Sequence, residues 1–235
     1  LASATLFYRS GGAAEPTAVE MTADEAGFVG TIPGSAIGES GLTYYFVATD
    51  EQGTSVRAPR TGVYSLPVRI GGAGVERPGA LAGGNTQSAY RLLSMPVVVD
   101  DPAPESVLGD DIPTLASPSV YDPSVARLFK PTGRVVAEYT VSEDIGGFDL
   151  GQAFWLIVRD GVDVIDTGAG TTEPLNEPVR IDLSQGWNFI GTPFPVSVPV
   201  ANLETTDGTD VTLRSYGADG YNSTDTPVTA MRPFE

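Results

Sequence analysis

Hydrophobic and polar residues alternate along this chain in short runs, and turn residues break the pattern every eight to twelve positions. Leu6-Phe7-Tyr8-Arg9 opens a first strand over residues 4–9, closed by Ser10-Gly11-Gly12. Thr17 to Met21, Phe28 to Ile32 and Leu42 to Asp50 follow, separated by Asp24-Glu25-Ala26-Gly27, Pro33-Gly34 and Gly38 to Gly41. Ser55 to Arg57 and the segment from Gly62 to Ile70 complete the set. Period-two alternation bounded by Gly, Pro and Asp predicts half-buried strands joined by tight turns, the pattern of an all-β sandwich.

Residues 71–89 lack apolar periodicity and hold six glycines between Gly71 and Gly84, so they are expected to form a linker. Residues 90–235 then form a second β-sandwich domain with an internal repeat. Tyr90-Arg91-Leu92-Leu93-Ser94-Met95-Pro96 is matched by Trp187-Asn188-Phe189-Ile190-Gly191-Thr192-Pro193, and Ala126 to Phe129 by Leu213 to Tyr216. The units run over about 90–170 and 187–235, the second truncated. Leu150 to Val158 is the most apolar stretch and reads as a strand covered on both faces, with Trp155 in the core and Trp187 likewise.

Composition agrees with this class. There are 28 Gly and 19 Pro, and the hydrophobic share of 41% is enough for a packed core. The chain contains no Cys and no His, which removes disulfides, Cys or His metal ligands, and Ser-His-Asp or Cys-His catalysis. Thirteen basic residues against thirty acidic give a net charge of −17, which argues against nucleic acid or an anionic membrane as partner. No apolar run approaches the ~20 residues of a membrane helix.

Two stretches carry resemblances. Leu6-Phe7-Tyr8-Arg9, Met21, Thr31-Ile32-Pro33 and Tyr44-Tyr45-Phe46-Val47-Ala48-Thr49-Asp50-Glu51-Gln52-Gly53 resemble the later part of a bacterial immunoglobulin-like or fibronectin type III-like module, over about residues 4–70. The two strands that normally precede Leu-Phe-Tyr-Arg in that family have no counterpart here. Gly186-Trp187-Asn188-Phe189-Ile190-Gly191-Thr192-Pro193-Phe194 and Gln152-Ala153-Phe154-Trp155-Leu156-Ile157 resemble β domains of Bacteroidetes-like secreted proteins associated with type IX secretion. The resemblances imply an extracellular or cell-surface protein whose partners are other chains or domains of the same assembly.

Candidate chemistry is sparse. Asp100-Asp101 and Asp110-Asp111 bracket a Pro-containing loop, and Asp207, Asp210, Asp219 and Asp225 mark a second acidic stretch. Loop carboxylates suit calcium, and Asp100, Asp101, Asp110 and Asp111 are the ligands if an ion is bound. Asp also favours turns through its own backbone hydrogen bonds, which is the plainer explanation of both stretches. No other cofactor is implied. Tyr216 and Tyr221, in a Gly/Asn/Asp-rich loop, are the candidate ligand-binding aromatics. The single lysine, Lys130, between Phe129 and Pro131, is expected at a solvated strand tip, and without a nucleophile–base pair the chain does not read as an enzyme.

The sequence thus predicts a non-catalytic structural or adhesive segment of a larger secreted or surface protein, with assembly into a filament or surface lattice as one form of that role. The alternative is a carbohydrate-binding accessory module of a secreted hydrolase, with glycans as partners. Both sandwiches look incomplete at the chain ends, so open apolar edges are expected at Leu6 and near Phe234.

Overall fold

The computed structural model describes residues 1–132, 135–140, 145–209, 212–217, 220–221 and 228–234. The protein is all-β: antiparallel sheets and loops, with one α-helix of five residues among the described residues. Among the described residues no helix is long and apolar enough to cross a membrane. Two compact units divide the chain, one of residues 1–69 and 172–179, the other of residues 70–171 and 180–235.

The smaller unit contains β1 (Ser3–Ser10), β2 (Thr17–Glu20), β3 (Thr22–Asp24), β4 (Gly27–Val29), β5 (Leu42–Thr49), β6 (Ser55–Ala58) and β7 (Tyr64–Leu66). Its main sheet runs β2-β1-β5-β6, with β7 pairing a further stretch of β5, and β3–β4 is a separate hairpin. The register pairs Leu6 with Phe46 and Phe7 with Tyr45. Alternation therefore sends Ala4, Leu6, Leu42, Tyr44 and Phe46 to one face, where Tyr64 joins Tyr44 and Phe46 with centroids 5.3 and 6.2 Å away. The other face carries the stacked pair Phe7–Tyr45 at 4.8 Å, with the Arg57 guanidinium 4.1 Å above Tyr45. Acidic residues close the turns as Asx motifs. Asp24 accepts from Ala26 and Gly27 N–H, and Asp50 from Gln52 and Thr54 N–H.

Residues 172–179, expected in the second domain, belong to this unit. The Thr172 N–H donates to Val68 O and its Oγ1 accepts from the Val68 N–H, while Leu175 N–H donates to Ser65 Oγ and Asn176 Nδ2 to Val63 O. The open edge expected at Leu6 is absent, since β1 is paired on both sides and Leu6 is buried, as is Phe234.

After β8 (Arg69–Ile70), the larger unit is built on β9 (Arg91–Ser94), β10 (Val98–Val99), α1 (Pro104–Leu108), β11 (Ala126–Thr132), β12 (Val135–Glu138) and β13 (Ala153–Val158). The order of its principal sheet is β12-β11-β13-β9, and β10 pairs with β14 (Gly170–Thr171). Short pairs of β15 (Val198–Pro199) with β18 (Ala230–Met231) and of β16 (Tyr216–Gly217) with β17 (Gly220–Tyr221) complete it. Leu93, Leu128, Phe154 and Leu156 fall on one face of the sheet and are buried, with Phe148 4.3 Å from Phe154. Val107 and Leu108 of α1, Ile112, Leu115 and Ile165 are also core residues. Lys130 lies on that same face, only 6% exposed. Its Nζ donates to Gly147 O and, at 2.8 Å, to Asp149, so the expected solvated tip is instead a buried cation held by a carboxylate.

The two repeat copies do not form equivalent elements. Tyr90 to Val97 contains β9, whereas Trp187 to Phe194 contributes one bridge, Ile190 opposite Gln152. Similar residues met different neighbours, and the neighbours decided the structure.

Residues 71–89 are not a free linker. Val75 and Leu81 are buried. The Val75 N–H donates to Thr167 Oγ1 and the Thr167 N–H to Val75 O, Arg77 N–H donates to Ile165 O, and Leu81 and Val162 exchange both backbone bonds. This is strand-like pairing, invisible to a hydrophobicity pattern because glycine supplies backbone and no side chain. Gly74 decides the matter. Its φ is +83°, and a Cβ there would lie 1.8 Å from Gly168 O. Gly74→Ala is expected to lower the unfolding free energy by roughly 2 kcal/mol or more in urea titrations. A free linker would leave it unchanged or slightly raised.

Candidate functional site

The predicted acidic positions disperse. Asp101 accepts from the Ala103 N–H at 3.2 Å and from Ser106 Oγ at 2.6 Å, which ties it to the first turn of α1 and holds its carboxyl below the usual range. The Asp100 N–H donates to Ala169 O. Asp110 accepts from the Asp111 N–H. Asp111 turns toward Asp166 and accepts its backbone N–H at 2.9 Å. Among the described residues no three acidic groups converge as a metal site, so the calcium set of Asp100, Asp101, Asp110 and Asp111 is not assembled. Asp101 and Asp110 serve as local backbone acceptors, and Asp111 as a long-range one. Asp207 likewise closes a turn, accepting from the Thr209 N–H. Asp210, Asp219 and Asp225 lie outside the described residues.

Asp111 and Asp166 nonetheless form an electrostatically distinct pair. Desolvation pushes the Asp111 carboxyl up to about 6, and the nearby Asp166, Asp110 and Glu76 charges add to the rise against the opposing Asp166 N–H bond. Asp166, 5% exposed, is also raised, again first by burial.

Of the candidate ligand-binding aromatics, Tyr216 is packed against the principal sheet. Tyr216 lies edge-on to Trp155 at 4.5 Å and donates its hydroxyl to Gln87 O at 3.1 Å. The Tyr221 backbone pairs with Tyr216, and its side chain lies outside the described residues. Trp155 is half-buried, since Tyr90, Phe189 and Tyr216 cover its face of the sheet. Trp187, expected in the core, is 73% exposed. The cause is local. Asn188 accepts the Ser184 N–H on Oδ1 and donates through Nδ2 to Ser184 O and Gly186 O. That closes a tight loop with Gly186 at φ +104°, and the indole is left on the outside.

Trp187 stands on a groove of about 520 Å³ within the larger unit. Its apolar wall includes Leu92 and Phe189, and Tyr216 contributes a ring. Four of the twelve arginines, Arg77, Arg91, Arg214 and Arg232, line it, with no acidic residue among the described lining. The Arg214 guanidinium sits 5.7 Å from the Trp187 ring centre. Arg91 donates to Ser88 O and Tyr90 O at 2.7 and 2.9 Å. Arg77 donates to Pro78 O, Gly79 O and Ala80 O. The signal available in the sequence was the concentration of Arg beside apolar residues in an acid-rich chain, together with the Ser-Gln-Gly-Trp-Asn turn chemistry.

Comparison with known proteins adds no relative, because no family model, curated protein or solved structure matches this chain.

The Asp111–Asp166 pair sets a pH dependence. Asp111 titrates near 6 when folded and near 3.8 when unfolded, so the folded state holds the extra proton between those values. Its charge opposes folding above pH ~6, and the penalty is lifted as pH falls toward ~4. The melting temperature of the larger unit is expected to rise on acidification from pH 7 to pH 5. Asp111→Asn, which keeps an acceptor for Asp166 N–H, should melt higher than the parent at pH 7 and show a smaller rise, the remainder coming from Asp166. Equal slopes in the two proteins would exclude Asp111 as its source.

Proposed function

We propose that the chain is a non-catalytic adhesive segment of a larger secreted or cell-surface bacterial protein, and that it holds a saccharide in the groove beside Trp187. The exposed indole carries this reading. A solvated tryptophan is costly on a bare surface, yet it is the preferred platform for the apolar face of a sugar ring. Here it is held in place by the Asn188-closed loop and by Arg214, so little order is lost when a ring stacks on it.

The neighbouring groups suit recognition better than turnover. Guanidinium and hydroxyl groups around the groove donate hydrogen bonds to ring oxygens and hydroxyls. Among the described lining residues no carboxylate stands ready to move a proton, and the single lysine is engaged with Asp149 elsewhere in the unit. The groove's volume falls in the range of ordinary ligand sites.

A panel of soluble polysaccharides in affinity electrophoresis, followed by titration calorimetry on those retarded, tests the proposal. The parent chain is expected to be retarded by at least one polysaccharide class. Trp187→Ala should weaken that binding by about tenfold or more, ~1.4 kcal/mol, with an unchanged circular dichroism spectrum. Absence of binding to every polysaccharide, or equal binding by Trp187→Ala, would leave a purely structural spacer.

A further inference from the structure

We infer that the Trp187 groove selects an acidic saccharide, one bearing carboxylates spaced along an otherwise neutral chain. The inference rests on the saccharide reading above and concerns what distinguishes one glycan from another.

Its basis is where the positive charge lies. In a chain of net charge −17, a third of the arginines line one groove, and the described lining contains no acid. Arg77, Arg91 and Arg214 form no ion pair with any described carboxylate. Arg91 and Arg77 are fixed by backbone carbonyls and Arg214 by the Trp187 ring. Three cations outside the groove do take carboxylate partners: Arg127 holds Glu138 through two bonds of 2.7 Å, Lys130 holds Asp149, and Arg180 holds Asp182. Arg57, by contrast, is held singly by Pro59 O and the Tyr45 ring. Among the described residues, only at the groove are such carbonyl- and ring-held arginines gathered together. Guanidinium groups oriented by their surroundings but not neutralised are a preorganised anion receptor, and their planar fork suits a carboxylate. The indole beside them accepts the neutral ring face, so stacking and charge act on one sugar residue.

The same acidity decides the charge spacing. A densely charged polymer such as nucleic acid, with a phosphate on every unit, is repelled by a chain of net charge −17. A chain with carboxylates on alternate rings meets the groove with its charge and the acidic surroundings with its neutral rings.

The test uses the whole chain with four probes of matched length. These are a hyaluronan decasaccharide, the same oligosaccharide after carboxyl reduction, a chondroitin sulfate decasaccharide and an oligodeoxythymidylate. Titration calorimetry should give tightest binding to hyaluronan, about tenfold weaker binding after carboxyl reduction, and affinity falling as salt is raised. Arg91→Gln and Arg214→Gln should each lose about tenfold on hyaluronan and little on the reduced form. Arg180→Gln, which makes the same change in net charge on an arginine outside the groove lining, should bind as the parent does. Trp187→Ala should lose both saccharides. Equal binding of acidic and reduced saccharides, with both groove arginine variants unaffected, overturns the charge inference and leaves the saccharide site standing. Binding to neither form of hyaluronan, while a neutral polysaccharide of the panel is bound, overturns the acidic-saccharide inference alone. Binding to no saccharide in either experiment overturns the proposed function itself. Preference for the sulfated saccharide overturns the carboxylate assignment, and preference for the oligonucleotide overturns the ligand class.

Discussion

Because Ala153–Val158 carries apolar side chains on both faces, the larger unit has to cover the strand twice. One face is closed by Phe148 and the buried residues around Phe154 and Leu156. The other cannot be closed by a second regular sheet of the same breadth, since the remaining strands are two residues long. Loops and the short β16–β17 pair do it instead, with Tyr90, Phe189 and Tyr216 arranged around the Trp155 ring at 4.5–6.4 Å. Aromatic side chains suit this because each covers a large area at the cost of two torsions. The groove takes part of its wall from this covering, since Phe189 and Tyr216, which close the Trp155 face, also line it.

That origin explains why the strands were legible in the sequence and the groove was not. Strands β1, β5 and β13 follow from alternation or from a continuous apolar run, both of which register as simple periods. The Asx turns follow from a side chain bonding its own backbone, which spacing alone reveals. Lys130 and Trp187 depart from their apolar surroundings for different reasons. Lys130 is placed by a partner nineteen residues away, Asp149, which no local pattern shows. Trp187 is turned outward by the local Ser184–Asn188 loop, whose side-chain hydrogen bonds outweigh the apolar neighbours Phe189 and Ile190. The docking of Gly71 to Gly84 was illegible on other grounds. It depends on backbone hydrogen bonds and on a close approach only glycine permits, and neither leaves a hydrophobic signature.

Charge completes the picture. An excess of carboxylates makes the chain anionic, and part of it is taken up by turns, caps and pairs. Against such a background, arginines held without a described carboxylate stand out. Arg77 and Arg91 are held by carbonyl oxygens and Arg214 by an indole face, none of which cancels their charge. The field of the whole protein and the field of the groove then act on different parts of a ligand. In the saccharide reading proposed above, the protein's net negative charge disfavours any polymer whose charge is continuous, and the groove takes a single carboxylate next to a neutral ring. On that reading, selectivity for charge spacing, rather than for charge, follows from the opposition.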